Sequence, residues 1–371
     1  MKNKKLRHGF TTGSAAAAGA KAGVLCLGGK TGLKEVEIPL PEVGRLNISV
    51  FNATKAENKA VITIIKDGGD DPDATHKAHI ISIVELLSEG NQEEEILIQG
   101  GKGVGRVTRP GLPLPVGESA INPVPRQQIR DAVKEGLKES GLTGGKLRIT
   151  IEVTNGEKIA KKTLNARLGI IGGISILGTR GTVKPFSNQA YKDTITMSMD
   201  VALADDSKTI ALTTGGKSEN LLRKNLPDLP ERVCVQVADF FAFSLQEAVK
   251  RKFSCILISC FFGKLVKMAH GYPYTHARKN QIDFERLAAW CAEYGLEQAM
   301  LANITNANTA REALEYILKD RCRERILQGL SSRALVSARS FAGLLPCITF
   351  YLFDFSGKLL LKTYDKGKRQ T

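Results

Sequence analysis

Between Gly100 and Arg126 the chain reads GGKGVGRVTRPGLPLPVGESAINPVPR, with six glycines and five prolines in 27 residues. Proline removes a backbone donor and fixes φ, while glycine opens conformations that other residues avoid, so the stretch can be neither helix nor central strand. It follows a short apolar strand signal, Ile96-Leu97-Ile98, and precedes a helix signal. Loops this long in compact proteins are functional or disordered, and the embedded Ile, Val and Leu residues argue for an ordered one. Lys102, Arg106, Arg109, Asn122 and Arg126 stand among backbone that glycine lets a ligand approach closely. The stretch reads as an anion-recognising surface, with a structural crossover carrying solvated charges as the plainer alternative.

A chain of 371 residues is long enough for about two domains. Its formal net charge of +15 attracts polyanions over a distance. With aromatics at 6% and no zinc-finger spacing or aromatic RNA-binding motif, nucleic acid ranks below a small acidic substrate. No run of ~18 apolar residues is present, so no membrane span is expected. The basic N-terminus has no apolar stretch of secretory type. Seven scattered cysteines without a CxxC are expected to be reduced core thiols of a cytoplasmic protein.

Residues 11–27 predict an alanine-rich helix with Thr11, Thr12 and Ser14 as N-cap candidates, and hydroxyls ahead of a helix start also make a candidate anion site. Alternating Leu46, Ile48 and Val50, then AVITIIKD (60–67), predict strands. GGDDPDATHKAHIISIVELLSEG reads as an aspartate-rich turn before a helix that carries Ala78, Ile81, Val84 and Leu87 and ends at Gly90. Asp70, Asp71, Asp73, Thr75 and His76 are more than capping requires, which places a functional cluster ahead of a plain cap. The cluster has neither EF-hand length nor a zinc ligand set, so no metal site is expected. Pro125 suits the first turn of a helix bearing Ile129, Val133 and Leu137. KLRITIEVTNG predicts a strand with Leu147, Ile149, Ile151 and Val153 inward, and Asn155-Gly156 as a hairpin turn to a returning strand at 159–164.

A second glycine-rich, basic-flanked loop, NARLGIIGGISILGTRGTVKPFS (165–187), is expected to join the halves and line the cleft between them, with Asn165, Arg167, Arg180 and Lys184 as polar candidates. From about residue 205 strand and helix signals alternate, which predicts a parallel sheet with crossover helices. The turn Thr213-Thr214-Gly215-Gly216 opens a helix with Ser218 and Glu219, and Asp239 follows Gly215 by 24 residues. A glycine turn and an acid ~20 residues on are the nucleotide-binding elements of Rossmann-like domains, which nominates Thr214, Gly215, Gly216, Glu219 and Asp239 for an adenosine-containing cofactor. His270, Thr275, His276 and Arg278 lie beside glycine and proline at the expected C-terminal edge of that sheet. Helix is expected to about residue 330, and two strands around Phe355-Ser356-Gly357 close the chain. The expected architecture is an α+β domain with glycine/proline-rich substrate loops over 1–187, followed by an α/β Rossmann-like domain with a mainly parallel sheet over 188–371.

LRHGFTTGSAAAAGAKA (6–22), GGDDPDATH (68–76), GKGVGRVTRPGLPLPVGESAINPVPR (101–126), NARLGIIGGISILGTRGTVKPFS (165–187) and, more loosely, KMAHGYPYTHAR (267–278) occur in this order. Together they resemble the CbiD family, the cobalt-precorrin-5B C1-methyltransferases of the oxygen-independent cobalamin pathway. Ala15 stands where the family usually has cysteine, and Lys77 where it commonly has glycine. The resemblance implies methyl transfer from S-adenosyl-L-methionine to C1 of cobalt-precorrin-5B, giving cobalt-precorrin-6A.

The acetate and propionate groups of such a macrocycle would account for the positive charge and the arginine-bearing loops. On that reading Thr11, Thr12, Lys102, Arg106, Arg109, Asn122, Arg126, Arg167, Arg180, His270 and His276 are substrate candidates. Asp70, Asp71 or His76 would move a proton. The expected partner is an anionic cobalt-corrinoid, with no nucleic acid and no membrane, and a homo-oligomer is left open. The competing class is a non-catalytic carrier for an anionic tetrapyrrole or nucleic acid. A second enzyme alternative is metal-dependent phosphoryl transfer at the aspartate cluster.

Overall fold

Gly9 and Phe10 form β1, and Thr11 then caps α1 (Thr12–Leu27) by accepting the Ser14 N–H at 3.1 Å. This computed structural model describes residues 6–89, 95–142 and 145–367, and the chain divides into two compact units, Met1–Asn188 and Gln189–Thr371. Every residue of α1 is buried. A helix enclosed on all sides needs no polar face, and small side chains let its neighbours come close. A Cβ added at Gly19 would sit 2.5 Å from the Ser82 hydroxyl, and one at Gly23 would sit 2.4 Å from a Val84 methyl.

The antiparallel pair β2 (Glu35–Pro39) and β3 (Arg45–Ser49) comes next. It is followed by β4 (Asn52–Ala56), β5 (Lys59–Ile65), β6 (His79–Glu89) and β7 (Glu95–Gly100). β8 (Gly103–Val104), β9 (Arg106–Val107) and α2 (Pro123–Ser140) lead into β10 (Gly145–Val153). The main sheet of this unit runs β4-β5-β6-β10-β7, antiparallel except for the β10/β7 pair. Ile62, Ile64, Ile80, Val84, Leu147, Ile149 and Ile151 share a core with α1, and with Ile129 and Val133 of α2. The unit closes with α3 (Gly156–Ala160), β11 (Ile170–Ile171), β12 (Gly173–Ile174) and β13 (Thr182–Val183).

Two expectations fail in this unit. The helix expected after the aspartate turn is strand β6. Ile80, Ser82 and Val84 are buried while Ile81, Ile83 and Glu85 are half-buried. The β-branched run pairs with β5 on one side and β10 on the other, and this pairing overrides the accidental helical spacing of its apolar residues. The aspartates therefore occupy a β5–β6 connection, with no helix dipole behind them. Gly90, the expected helix terminator, lies outside the described residues. Asn155-Gly156 makes no hairpin either: Asn155 is left-handed at φ 56° and the chain turns into α3.

The second unit opens with α4 (Asn188–Ala204), a helix that the sequence analysis did not anticipate. β14 (Thr209–Thr213), α5 (Gly216–Asn225), β15 (Cys234–Gln236), α6 (Phe241–Lys250) and β16 (Cys255–Phe261) follow in the expected alternation. Helices α7 (Phe262–Ala269), α8 (Phe284–Glu293), α9 (Gln298–Thr305), α10 (Ala310–Lys319) and α11 (Arg323–Ala342) carry the chain past residue 330 to β17 (Cys347–Phe353) and β18 (Leu359–Asp365). Together these strands form a five-stranded mixed sheet in the order β15-β14-β16-β17-β18. Its first three pairings are parallel and the last is antiparallel.

Cys255 and Cys347 are register partners on adjacent strands, 4.7 Å apart at Cα, and form a disulfide. This corrects the expectation of seven reduced thiols. Cys26, Cys234, Cys260, Cys291 and Cys322 are not part of this disulfide. Among the described residues no helix is long and apolar enough to cross a membrane.

Candidate active site

In the first unit the two glycine-rich loops prove to be halves of one layer. Gly103 and Val104 pair in parallel with Gly173 and Ile174, and Arg106-Val107 pair antiparallel with Ile170-Ile171. Ile121 bridges to Ile176. Glycine is required where the backbones stack: a Cβ at Gly156 or Gly173 would lie 2.0 or 2.1 Å from the Gly103 carbonyl oxygen. Lys102, Arg106, Arg109, Arg180 and Lys184 are exposed on this layer, in company with exposed Val116, Val124, Leu164, Ile171, Leu177 and Phe186. Arg106 donates to the Gly117 carbonyl, the Arg109 stem packs against Gly169, and Arg180 sits 3.5 Å from Glu42. Arg167 is half-buried at the turn before β11.

Other substrate candidates on these loops are occupied within the fold. Arg126 spends its guanidinium on the Ile121 and Ile98 carbonyls, both at 3.0 Å, and on Glu118. Asn122 caps α2 through its backbone without a side-chain cap bond. The buried Thr12 hydroxyl accepts from the Leu177 N–H at 2.9 Å, and the Ser14 hydroxyl donates to the Gly181 carbonyl at 2.7 Å. Thr11 is 6% exposed and lies under Gly178. These hydroxyls clamp the 175–181 segment onto the start of α1. A cavity of about 280 Å³ lies beside Lys102, between Glu152, Asn155 and Lys158. That is smaller than the ~300–1,000 Å³ typical of drug-sized ligands.

The aspartate connection is wired to both chain segments that flank it. Asp70 accepts the Arg7 N–H at 2.7 Å and Asp71 accepts the Phe186 N–H at 2.9 Å. His76 accepts the Gly68 N–H at Nδ1, 3.0 Å away, which leaves its neutral-ring proton on Nε2. Two residues outside the candidate set complete the wiring. Arg7 pairs with Asp67 and its hydrogen bond holds that carboxyl below the usual range, against the effect of burial. Buried Lys66 pairs with Asp73. Burial alone would raise this carboxyl, and Lys66 and Thr75 more than offset it, so the net shift is downward. Among the described residues no three His, Cys, Asp or Glu side chains are grouped to hold a metal ion.

In the second unit the nominated residues meet where β14, β15 and β16 end. Thr214 donates its N–H to the Ser259 carbonyl at 3.1 Å, and no atom lies within 4 Å of the space a Cβ on Gly215 would fill. Gly216 opens α5 beside Gln236, which donates to the buried Glu219 at 3.0 Å. Asp239 follows Ala238, held at φ 47°, a left-handed conformation that costs a non-glycine residue roughly 1–2 kcal/mol.

Lys264, in the first turn of α7, reaches Asp239, and Thr275 closes the group. Tyr191, Phe240, Tyr274 and His276 form a run of ring contacts 5.1–5.9 Å apart between centroids around this turn. Burial, then the charge of Asp239, pushes the Tyr191 and Tyr274 phenols up.

His270 is placed elsewhere. It ends α7, six residues beyond Lys264 and so about 9 Å along the axis, with its ring 4.6 Å from that of Trp290. Burial, then Arg286, lowers its basicity. It is a half-buried histidine at the opposite end of the helix from the strand tips, because α7 leads away from the sheet edge that β16 reaches. Lys264 was missed in the sequence, although a lysine in a first helical turn, facing the positive end of the helix dipole, signals a nearby anion.

Residues 1–185 match the CbiD family, and residues 274–364 match the family described as CbiD, C-terminal domain. The cobalt-precorrin-5B C(1)-methyltransferase of Nitratidesulfovibrio vulgaris is 46% identical over 95% of this chain and 91% of its own length. That of Geobacillus sp. strain WCH70 is 42% identical over 98% of each chain. A crystal structure of cobalamin biosynthesis protein (cbiD) from Archaeoglobus fulgidus is 28% identical and covers 70% of this chain and 78% of that one, with a TM-score of 0.38.

Proposed function

This chain belongs to the CbiD family, and we propose that it transfers a methyl group from S-adenosyl-L-methionine to ring carbon C1 of cobalt-precorrin-5B, giving cobalt-precorrin-6A. The observation that carries this reading is the 46% identity, over 95% of the chain, to a cobalt-precorrin-5B C(1)-methyltransferase. Relatives named as methyltransferases do not favour the carrier reading.

The donor would occupy the second unit, read as a Rossmann-like nucleotide site. Its residues fit such a group, since the space beside Gly215 is open and Asp239 stands among aromatic rings. When bound, the donor supplies an electrophilic methyl on sulfur. Asp239 would accept hydrogen bonds from the ribose hydroxyls, the Thr214-Gly215 backbone would let the adenosine approach closely, and Tyr191 and Tyr274 would flank it. Lys102, Arg106, Arg109 and Arg180 bind the carboxylates of the macrocycle, while Ile171, Val116 and Leu177 support its apolar surface. The unshared carboxylate oxygen of Asp70 or Asp71 takes up a proton, and His76 donates a hydrogen bond from Nε2. Methyl transfer is an in-line displacement, for which positioning alone can supply roughly 7–11 kcal/mol. As a biosynthetic enzyme it would work in the cytoplasm.

Purified protein supplied with methyl-labelled S-adenosylmethionine and cobalt-precorrin-5B should move the label to the corrinoid. Asp239→Ala should weaken donor binding by calorimetry much more than corrinoid binding. No label transfer by a folded protein would refute the reading.

A further inference from the structure

Asp239 is held far more elaborately than a surface carboxylate needs. Its backbone turn is clasped by the 273–275 segment, with the Thr275 N–H donating to the Asp239 carbonyl and the Ala242 N–H to the Pro273 carbonyl, each at 3.0 Å. On the side chain, Lys264 donates to Oδ1, and the Thr275 hydroxyl lies 3.4 Å from that same oxygen. Lys264 also donates to the Thr275 hydroxyl at 3.1 Å, and Lys267 braces the Thr275 carbonyl at 3.2 Å. Thr275 is fully buried and Lys267 is 8% exposed. The side-chain contacts of Asp239 fall on Oδ1, and among the described residues its Oδ2 has no hydrogen-bond partner.

A lysine ammonium is a point charge that pairs through one carboxylate oxygen, so this ion pair does not need Oδ2. Nor would the fold need left-handed Ala238 beside it, and strain of this kind collects at functional sites. We infer that Lys264 and Thr275 are positioning residues that pin Oδ1 of Asp239 and so present Oδ2 to the ribose hydroxyls of the methyl donor. This gives the 267–278 segment a task at the donor site, distinct from the substrate binding expected of His270 and His276. It rests on the assignment of Asp239 to the donor made above.

The test is calorimetry of S-adenosylhomocysteine, and of its 2′,3′-dideoxyribose analogue, against four variants of the full chain. Asp239→Asn must first weaken S-adenosylhomocysteine binding. If it does not, the donor assignment itself is wrong and the inference falls with it. Given that loss, Lys264→Met and Thr275→Val should each weaken S-adenosylhomocysteine about 3- to 10-fold, the scale of a disrupted hydrogen bond, and Thr275→Ser should restore it. Neither Lys264→Met nor Thr275→Val should weaken the dideoxy analogue, which lacks the hydroxyls that Oδ2 would meet. Wild-type affinity in both variants, or equal losses for the two ligands, would overturn the positioning role. Thr275→Ser keeps the hydroxyl and removes only one methyl group, so its comparison with Lys264→Met stands even where Thr275→Val does not fold.

Discussion

Single residues in this protein are constrained by backbone geometry as much as by chemistry. Gly103 and Gly117 both have positive φ, at 79° and 93°, but a Cβ on Gly103 would lie 2.0 Å from the Val153 carbonyl oxygen, whereas one on Gly117 meets nothing within 4 Å. Gly117→Ala should cost about 1 kcal/mol for conformation alone. Gly103→Ala should cost about 3 kcal/mol or more, because the β8 layer must shift as well. Urea unfolding of the two variants separates the contributions. Lys77 offers the opposite case. It sits at φ 62°, a left-handed conformation that glycine adopts without a steric penalty. Lys77→Gly should therefore stabilise the fold by up to about 1 kcal/mol, read as a higher unfolding midpoint, although an ordinary Lys→Gly exchange destabilises.

At the scale of elements, α1 and α2 are locked by an ion network as well as by packing. Buried Lys21 reaches Glu135, Glu139 and the Glu37 carbonyl, and Arg45 pairs with Glu135 and Glu37. The Arg45 hydrogen bond, against burial and with Lys21 adding to it, brings the Glu135 carboxyl down to about 2. A carboxyl lowered in the folded state stabilises it above the unfolded value, near ~4.3, and that contribution fades as pH falls toward the folded value. Glu135→Gln should thus be less stable than the parent near neutrality, and the gap should narrow by about pH 3. A constant gap in urea midpoints would show that the network adds nothing ionic.

At the scale of the molecule, the net charge of +15 and the exposed cations of the loop layer act on a polyanionic substrate over distance. The corrinoid KM should rise steeply with salt, while affinity for the donor changes little. Arg106→Ala should raise that KM roughly tenfold, about 1.4 kcal/mol, with kcat nearly unchanged. A wild-type KM would make this loop scaffolding.

Local chemistry sufficed for much of this: proline and glycine marked both long loops, Thr11 marked the start of α1, and the strand–helix alternation after residue 205 marked the second sheet. What depended on partners distant in the chain was not legible. Ile80 to Val84 spaced like a helix until β5 and β10 claimed both edges of β6, and Asn155-Gly156 looked like a hairpin until no strand returned. His270 and Lys264 lie six residues apart on one helix, yet only the direction of α7 away from the sheet edge decides which of them meets Asp239. Short-range preference resides in each residue and its neighbours, so it can be read in order. Pairing and burial depend on what arrives from elsewhere in the chain, and only the folded molecule brings Thr275 back across 36 residues to the carboxylate it holds.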